Sequence, residues 1–386
     1  MSVDLVVGAE SRYDRQERIS WWEQSALEQA RVLVVGAGAL GNEVVKNLAL
    51  MGVGSIVVVD FDTVEMSNLA RCVLLRSTDD GTSKALAVAT RARELNDSIE
   101  VTGLHQDVRA LGSGLARRAH VIVGALDNRE ARLYLNRVAW QAGRPWVDGA
   151  IEALYGVARV FTPPDSCYEC TLTHVDFEAL AHRQSCRLLS YDDLIEGKVP
   201  TVVPTASIIG GLQAQEVVKL LHRSREGVSS LPGAIIFDGA NNDAYPLTYP
   251  FDGDCPAHHT YVEPVQVDRT ADLTFGELAE IAGLPHGTVE LADDLIVSWA
   301  CPSCATSIQD PTPLRTATIE VARCPGCGAA RQPTATTTVE PASPLRAMTL
   351  DEVGFCDDDL LAVRDDDTYR YVWPRRPNPG LPESWR

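Results

Sequence analysis

Apolar residues in this chain fall into short, sharply bounded runs. Val32–Val35, Ile56–Val59 and Val121–Val123 are continuous apolar runs of strand length, the pattern of strands buried on both faces. Between the first two, apolar positions at helical spacing predict a helix from about Asn42 to Met51. Further helices are predicted over Ser20–Ala30, over Lys84–Leu95 behind a Ser83 cap, over Glu130–Gln141 ahead of Gly143, and over Thr205–Arg223. Strands are predicted at Glu100–Leu104, Pro145–Gly149 and Val157–Phe161, with a closing pair at Ala234–Phe237 and Tyr245–Tyr249. This alternation predicts an α/β fold: a doubly wound, largely parallel sheet with helices on both faces. Residues 1–10 read as an unstructured leader, and 171–203 as a long crossover loop without periodicity. Beyond it, Thr274–Gly283 predicts a helix, and Leu295–Trp299 and Thr318–Val321 predict strands. Thr- and Pro-rich 332–344 reads as a linker, followed by a helix near Leu350–Glu352 and a strand near Tyr369–Val372.

Composition narrows the function classes. With 34 basic and 53 acidic residues the formal charge is −19, which disfavours nucleic acid as a partner, because a polyanion needs clustered Lys and Arg. No signal peptide and no membrane-length apolar run stands out, so a cytoplasmic protein without membrane contact is expected. In that compartment ten cysteines argue for metal binding or catalysis rather than disulfides.

The chemistry concentrates where the first predicted strand ends. Gly36, Gly38 and Gly41 sit between that strand and the first long helix, and Asp60 ends the next strand. Glycines there permit a tight turn and bring backbone N–H groups to a phosphate at the helix N-terminus, while the acid can bind ribose. The third candidate strand end carries Leu126-Asp127-Asn128, and all these ends can share one crevice.

The polar run that follows, Asp60-Phe61-Asp62-Thr63-Val64-Glu65-Met66-Ser67-Asn68-Leu69-Ala70-Arg71, resembles a signature of the ubiquitin-activating (E1-like) enzyme superfamily, which includes the ThiF/MoeB-type adenylyltransferases. Arg12-Tyr13-Asp14-Arg15-Gln16 and the stretch from Pro204 to Leu221 extend the resemblance over about residues 11–260. It implies a Rossmann-like ATP-binding unit in an adenylation domain over 1–262, a zinc-ribbon module over 263–340 and a tail or small extension over 341–386. The activity it implies is adenylation of a protein C-terminus with ATP and Mg2+. Carried over by motif, Arg71 and Lys84 would lie at the phosphates with Asn68 nearby, Asp62 would belong to the same nucleotide site, and Asp127 would hold magnesium. Arg15 would reach the ATP site of a partner in a homodimer. The family usually has Gln after the arginine of this signature; here Cys72 stands, which puts one local hydrogen bond in doubt and reads as a small core residue.

Seven of the cysteines lie in or near metal-type pairs. Cys301-Pro-Ser-Cys304 and Cys324-Pro-Gly-Cys327 have zinc-ribbon spacing, with Pro and Gly favouring tight knuckles; four closed ligands make a structural site. Cys167 and Cys170 form an earlier CxxC, which the family often pairs with a second one. Here that place holds Cys255 and His258, with His259 as the alternative ligand, so two structural Zn2+ sites are expected. Cys186, in the crossover stretch between Arg183 and Arg187, matches a region where ubiquitin-activating relatives carry the thioester cysteine. Cys356 sits among acids that disfavour a thiolate.

The resemblance is closest to a bacterial enzyme that activates a ubiquitin-like protein, by adenylation and then thioester formation on Cys186, and passes it to a conjugating-enzyme-like protein. The rivals are adenylation of a sulfur carrier for thiamine, molybdopterin or thionucleoside synthesis, a non-catalytic scaffold, and a dinucleotide oxidoreductase.

Overall fold

The computed structural model describes residues 11–173, 200–269, 272–355, 358–375 and 378–386. Cys186, Cys356, the leader and most of the expected crossover loop lie outside the described residues.

Two short helices, α1 (Asp14–Glu17) and α2 (Gln24–Glu28), lead into β1 (Arg31–Val35), α3 (Ala39–Met51) and β2 (Ser55–Val59). Then follow α4 (Lys84–Leu95), β3 (Glu100–Leu104), α5 (Ser113–Arg118), β4 (Val121–Gly124), α6 (Arg129–Gln141), β5 (Trp146–Glu152) and β6 (Tyr155–Phe161). A long helix, α7 (Val203–Leu221), precedes the hairpin β7 (Ala234–Asp238) and β8 (Asp243–Leu247). The first eight strands form one sheet in the order β3-β2-β1-β4-β5-β6-β7-β8. Strands β1 to β5 pair in parallel and β6 to β8 antiparallel, so the parallel character ends at β5. The continuous apolar runs are explained by burial on both faces. Val32, Val34, Ile56 and Val58 pack under α3, α4 and α7, whereas Leu33, Val35 and Val57 pack with α5 and α6. The helix expected over Ser20–Ala30 shrinks to Gln24–Glu28, because Trp21 and Trp22 leave the helix to pack on His222.

A second sheet is built from β9 (Val265–Val267), β10 (Thr288–Ala300), β11 (Ser307–Pro313), β12 (Gln332–Val339), β13 (Leu361–Asp365) and β14 (Thr368–Pro374), with α8 (Phe275–Ile281) and α9 (Ile319–Ala322) beside it. Three sequence expectations change here. The expected strand at Thr318–Val321 is instead α9 with Thr318 as its N-cap, accepting from the Val321 amide at 3.4 Å. The Thr- and Pro-rich linker is strand β12, paired antiparallel with β10; β-branched Thr suits a strand better than its polarity suggests. Leu350–Glu352 forms no helix: Thr349 and Glu352 close one turn through reciprocal bonds (2.8 and 3.2 Å), and Gly354 at φ +71° turns the chain away.

Residues 341–386 do not hang free. β13 and β14 belong to the second sheet, and the segment ahead of them bolts that sheet onto α5. The Arg118 guanidinium pairs with Asp358 in a buried contact, Gly114 N donates to Asp358 O at 2.8 Å, and Ser113 N to Asp359 Oδ1 at 2.9 Å. Trp373 Nε1 donates to the same Asp358 carboxylate at 2.9 Å. Finally Leu381 and Trp385 pack into the α5–α6 face of the first sheet, and Trp385 Nε1 donates to Ser55 Oγ at 2.8 Å. No helix among the described residues is long and apolar enough to cross a membrane.

Candidate active site and metal centres

β1 ends in a turn through Gly36 at φ +99°, where a Cβ would lie 2.3 Å from the Ala125 carbonyl oxygen. At Gly41 a Cβ would lie 2.0 Å from Gly36 O. Gly38, the N-cap of α3, has open space instead, the side from which a phosphate can approach the helix N-terminus. Asp60, at the end of β2, closes this turn: it accepts from Ala37 N at 2.6 Å and from Asp62 N at 2.7 Å. Burial raises its carboxyl pKa, opposed by those two amides and by Lys84.

The acidic run after β2 is zipped onto the start of α4. Val64 N donates to Thr82 O at 2.7 Å, and Lys84 N to Asp62 O at 3.0 Å. Lys84 Nζ then pairs with Asp62 Oδ2 at 2.7 Å, so this carboxylate holds the lysine at the start of α4. Asn68 is buried and its Oδ1 accepts from Glu65 N at 3.0 Å, fixing the single turn that carries Arg71. Arg71 Nη1 donates to Ser67 O at 3.0 Å. Between them, burial pushes the Cys72 thiol up to about 11, while Arg71 and Lys84 draw it down and Asp60 and Glu43 push it further up.

Asp127 stands exposed at the carboxyl end of β4, two residues beyond the Ala125 that packs on the glycine turn. Asn128 donates to it at 3.2 Å and caps α6 by accepting from Ala131 N at 2.8 Å. Behind it, Arg132 donates to Leu126 O, to Gly149 O at 3.1 Å and to Asp148 Oδ1 at 3.1 Å. Asp148 is fully buried and also takes Arg159 Nη1 at 2.6 Å. The sequence reading missed this triad, and it missed Asn42. An acid inside the apolar strand Trp146–Glu152 was the available signal, since a buried carboxylate requires a partner.

Arg15 lies elsewhere. Its helix docks at the C-terminal ends of α3 and α4, where Gln16 Nε2 donates to Met51 O at 3.1 Å and Arg12 Nη1 to Leu95 O at 2.9 Å. The glycine turn lies at the other end of α3, about 18 Å away at ~1.5 Å per residue.

Two sets of donors converge as metal ligands would. In each set, Cys167, Cys170, Cys255 and His258, and Cys301, Cys304, Cys324 and Cys327, the ligand atoms lie within 4.8 Å of one another. Thiolates on a tetrahedral zinc stand about 3.8 Å apart, from Zn–S of ~2.3 Å. The sulfurs here are 3.7 Å (Cys167–Cys170), 3.6 Å (Cys167–Cys255), 3.5 Å (Cys301–Cys327) and 3.5 Å (Cys304–Cys324) apart, so both sets fit. His258 points Nε2 at Cys170 Sγ (3.3 Å) from between the Trp140 and Phe251 rings, whereas His259 stacks on Tyr369. Asn136 Nδ2 donates to Cys167 Sγ at 3.5 Å, and Arg137 pairs with buried Glu169 inside the CxxC, tying this knuckle to α6.

A glycine turn at the end of the first strand of a parallel sheet, closed by an acid at the end of the next strand, is the arrangement of a nucleotide-binding domain. Residues 13–257 match the ThiF family. The chain belongs to that family, within the E1-like superfamily of ATP-dependent adenylyltransferases. It is 33% identical over 261 residues to the SAMP-activating enzyme E1 of Haloferax volcanii, covering 66% of this chain and 91% of that one. It is 40% identical over 168 residues to the sulfur carrier protein ThiS adenylyltransferase of Bacillus subtilis, covering 42% of this chain and 50% of that one. The crystal structure of Escherichia coli MccB with ATP shares the fold at a TM-score of 0.54 and 21% identity, over 66% of this chain and 75% of that one.

Proposed function

We propose that this chain activates a ubiquitin-like protein by adenylating its C-terminal carboxylate. The carboxylate oxygen attacks the α-phosphorus of ATP, the bond to the β-phosphate oxygen breaks, and pyrophosphate leaves. The nucleophile is already charged, so the protein must hold the reactants in line and offset anion repulsion. In this reading the turn Gly36–Gly41 receives the phosphates, Asp60 holds the ribose, and Arg71 and Lys84 neutralise phosphate charge with Asn68 fixing the loop between them. Asp62 parks Lys84 until ATP arrives. Asp127 would hold magnesium, which supplies charge neutralisation at the phosphates when bound. The Cys186 thiolate then attacks the acyl carbon, AMP departs, and the resulting thioester passes to a conjugating-enzyme-like partner. Both four-ligand sets would hold structural zinc.

The observation that carries this reading is that the glycine turn, Asp60 and Asp127 follow adjoining strands β1, β2 and β4 of a ThiF-family chain, with Lys84 held by Asp62 at the start of α4. Arg15 has no access to its own chain's site, so it would serve the site of a second copy in a homodimer. The test is mass spectrometry of the protein with ATP, magnesium and candidate ubiquitin-like proteins under non-reducing conditions. A thiol-sensitive adduct, absent in Cys186→Ala and Asp127→Ala, is the expected result. An acyl-adenylate that persists in Cys186→Ala with no adduct in the wild type would instead assign sulfur-carrier activation, the reading favoured by the likeness to the ThiS adenylyltransferase. No adenylate with any partner would overturn both. For the dimer, mixing inactive Arg15→Ala and Asp127→Ala proteins should restore activity toward a quarter of the wild type; no recovery would remove Arg15 from the partner's site.

A further inference from the structure

The opposite end of the large sheet carries a second concentration of chemistry. Arg31, His120 and Arg144 stand at the amino-terminal ends of the adjacent strands β1, β4 and β5, where His120 N donates to Arg31 O at 2.8 Å. Arg117 joins them from the C-terminus of α5. Part of this charge serves the fold. Arg31 Nε donates to Arg118 O at 2.8 Å, and Arg144 donates to Arg117 O through Nε (3.1 Å) and Nη2 (2.8 Å), capping the last carbonyls of α5. Arg117 Nη1 donates to Tyr261 O at 3.2 Å. No ion pair with a carboxylate is present for Arg31, Arg117 or Arg144 among the described residues, although the chain carries a net charge of −19.

The tautomer of His120 sharpens the point. The Arg31 amide donates to His120 Nδ1 at 2.9 Å, so in the neutral ring the proton sits on Nε2. That Nε2–H faces Arg31 Nη2 at 3.5 Å: two donors meet with no described acceptor between them. Burial and the neighbouring Arg31 and Arg144 hold the His120 pKa below its ordinary value, which keeps this arrangement neutral at the ring. Arg144 is likewise held down by burial first and then by Arg117, Arg31 and Arg223. Two donors that meet without a described acceptor, Arg31 Nη2 and His120 Nε2, among cations that lack a carboxylate counter-charge, are what an oxyanion would complete.

We propose that Arg31, His120, Arg144 and Arg117 form a binding site for a phosphate-class oxyanion, at the end of the sheet opposite the glycine turn. The remaining donors, Arg31 Nη2, His120 Nε2 and the free edges of Arg144 and Arg117, suit a tetrahedral dianion better than a single carboxylate. The proposal goes beyond the adenylation reading and does not depend on it.

The experiment is isothermal titration of inorganic phosphate, and separately of pyrophosphate, into the full chain and into Arg71→Ala. Arg71→Ala removes a cation of the nucleotide site and leaves this one intact. The expected result is saturable binding that survives Arg71→Ala and weakens at least tenfold in His120→Gln and in Arg117→Gln. Arg117→Gln loses one bond to a carbonyl and a contact over the Trp373 ring, both at a half-buried position, so it keeps the test open if the His120 variant folds poorly. Tighter binding of pyrophosphate than of phosphate would assign the site to a diphosphate, the opposite order to a monophosphate. Binding abolished by Arg71→Ala, binding unchanged in both His120→Gln and Arg117→Gln, or a non-saturating response shared by chloride would overturn the proposal.

Discussion

Asn42 joins the glycine turn to the segment that carries Arg71. Its Nδ2 donates to Ala37 O at 2.8 Å and to Gly38 O at 3.0 Å, and its Oδ1 accepts from Leu74 N at 2.9 Å. The side chain is fully buried, so neither it nor the Ala37 carbonyl and Leu74 amide has water as an alternative. Replacing it by Leu keeps the size but leaves the Leu74 amide and the Ala37 carbonyl unsatisfied, at a cost of about 2–4 kcal/mol. Asn42→Leu should therefore lower the unfolding midpoint and, in the protein that still folds, raise the KM for ATP several-fold as the turn loosens. Urea unfolding with ATP–pyrophosphate exchange kinetics checks both. A loss of stability at unchanged KM would mean that the turn keeps its shape without this link.

Cys72 illustrates how burial decides reactivity. Its thiol sits among Arg71 and Lys84, which alone would favour the thiolate, yet burial outweighs them and lifts its pKa to about 11. At pH 8 the native protein should leave Cys72 unlabelled by iodoacetamide over a period in which the unfolded chain is fully labelled; peptide mass spectrometry reads the difference. The sign for stability follows. A thiol whose folded pKa is raised keeps its full contribution below the unfolded value, and loses it as pH rises toward the folded one. Stability should thus decline across pH 9 to 11 by on the order of 2 kcal/mol from this group, and Cys72→Ala should flatten that decline. Rapid labelling at pH 8 would show that the pocket opens to solvent.

What the sequence made legible follows from which physics is local. The βαβ unit could be read because its strands are buried on both faces and a Cβ at Gly36 or Gly41 would lie 2.0–2.3 Å from backbone oxygen, a constraint that only glycine meets. Helix α4 was bounded correctly because Ser83 caps it and Lys84–Leu95 repeats regularly. Of the second sheet, Leu295–Trp299 in β10 and Tyr369–Val372 in β14 were legible as strands, but the rest was hidden for the opposite reason. β12 is a row of threonines whose partner, β10, lies more than thirty residues earlier, so only the tertiary pairing marks it as a strand. The Arg132–Asp148–Arg159 triad joins residues from α6, β5 and β6, and no spacing in the sequence announces it.

The two knuckles of the four-cysteine set close alike but differ at the residue that takes left-handed backbone. Each Cys-x-x-Cys closes through an amide four residues on: Ala305 N donates to Cys301 O at 3.0 Å, and Gly328 N to Cys324 O at 2.8 Å. Both residues take left-handed backbone, at φ +55° for Ala305 and +72° for Gly328, but only one is glycine. Ala305→Gly should relieve about 1 kcal/mol of backbone strain, offset in part by the freer unfolded chain, and so raise the thermal midpoint slightly. Gly328→Val should destabilise by more than 1 kcal/mol. Metal analysis adds the larger test. Two zinc ions per chain are expected, one lost in Cys167→Ser and the other in Cys324→Ser, and chelation should unfold the β10–β12 tip. Full retention of both metals in Cys324→Ser would remove this cluster as a site.

Trp385, next to last in the sequence, does the work that a covering helix does elsewhere on the sheet. It is about 1% exposed and packs with Leu381 on the face shared by Leu33, Val57 and Leu104. Its indole N–H ends on Ser55 Oγ, and the neighbouring Ser384 hydroxyl donates to Glu100 Oε2 at 2.8 Å, so the strap spans the starts of β2 and β3. Trp385→Ala should cost about 3–5 kcal/mol, from lost apolar burial and the cavity left behind. Because the strap follows β14, which lies in the second sheet, the loss should spread. Arg118–Asp358 and the strap are two anchors between the same two sheets, and removing one raises the entropic cost of closing the other. Combining Trp385→Ala with Asp358→Asn should therefore destabilise docking by less than the sum of the single changes if the second anchor is already loosened by loss of the first. Hydrogen exchange at α5 and β2 reads the docking directly: faster exchange at both elements in either single variant is expected. Exchange that rises only at β2 in Trp385→Ala would mean the two anchors act independently.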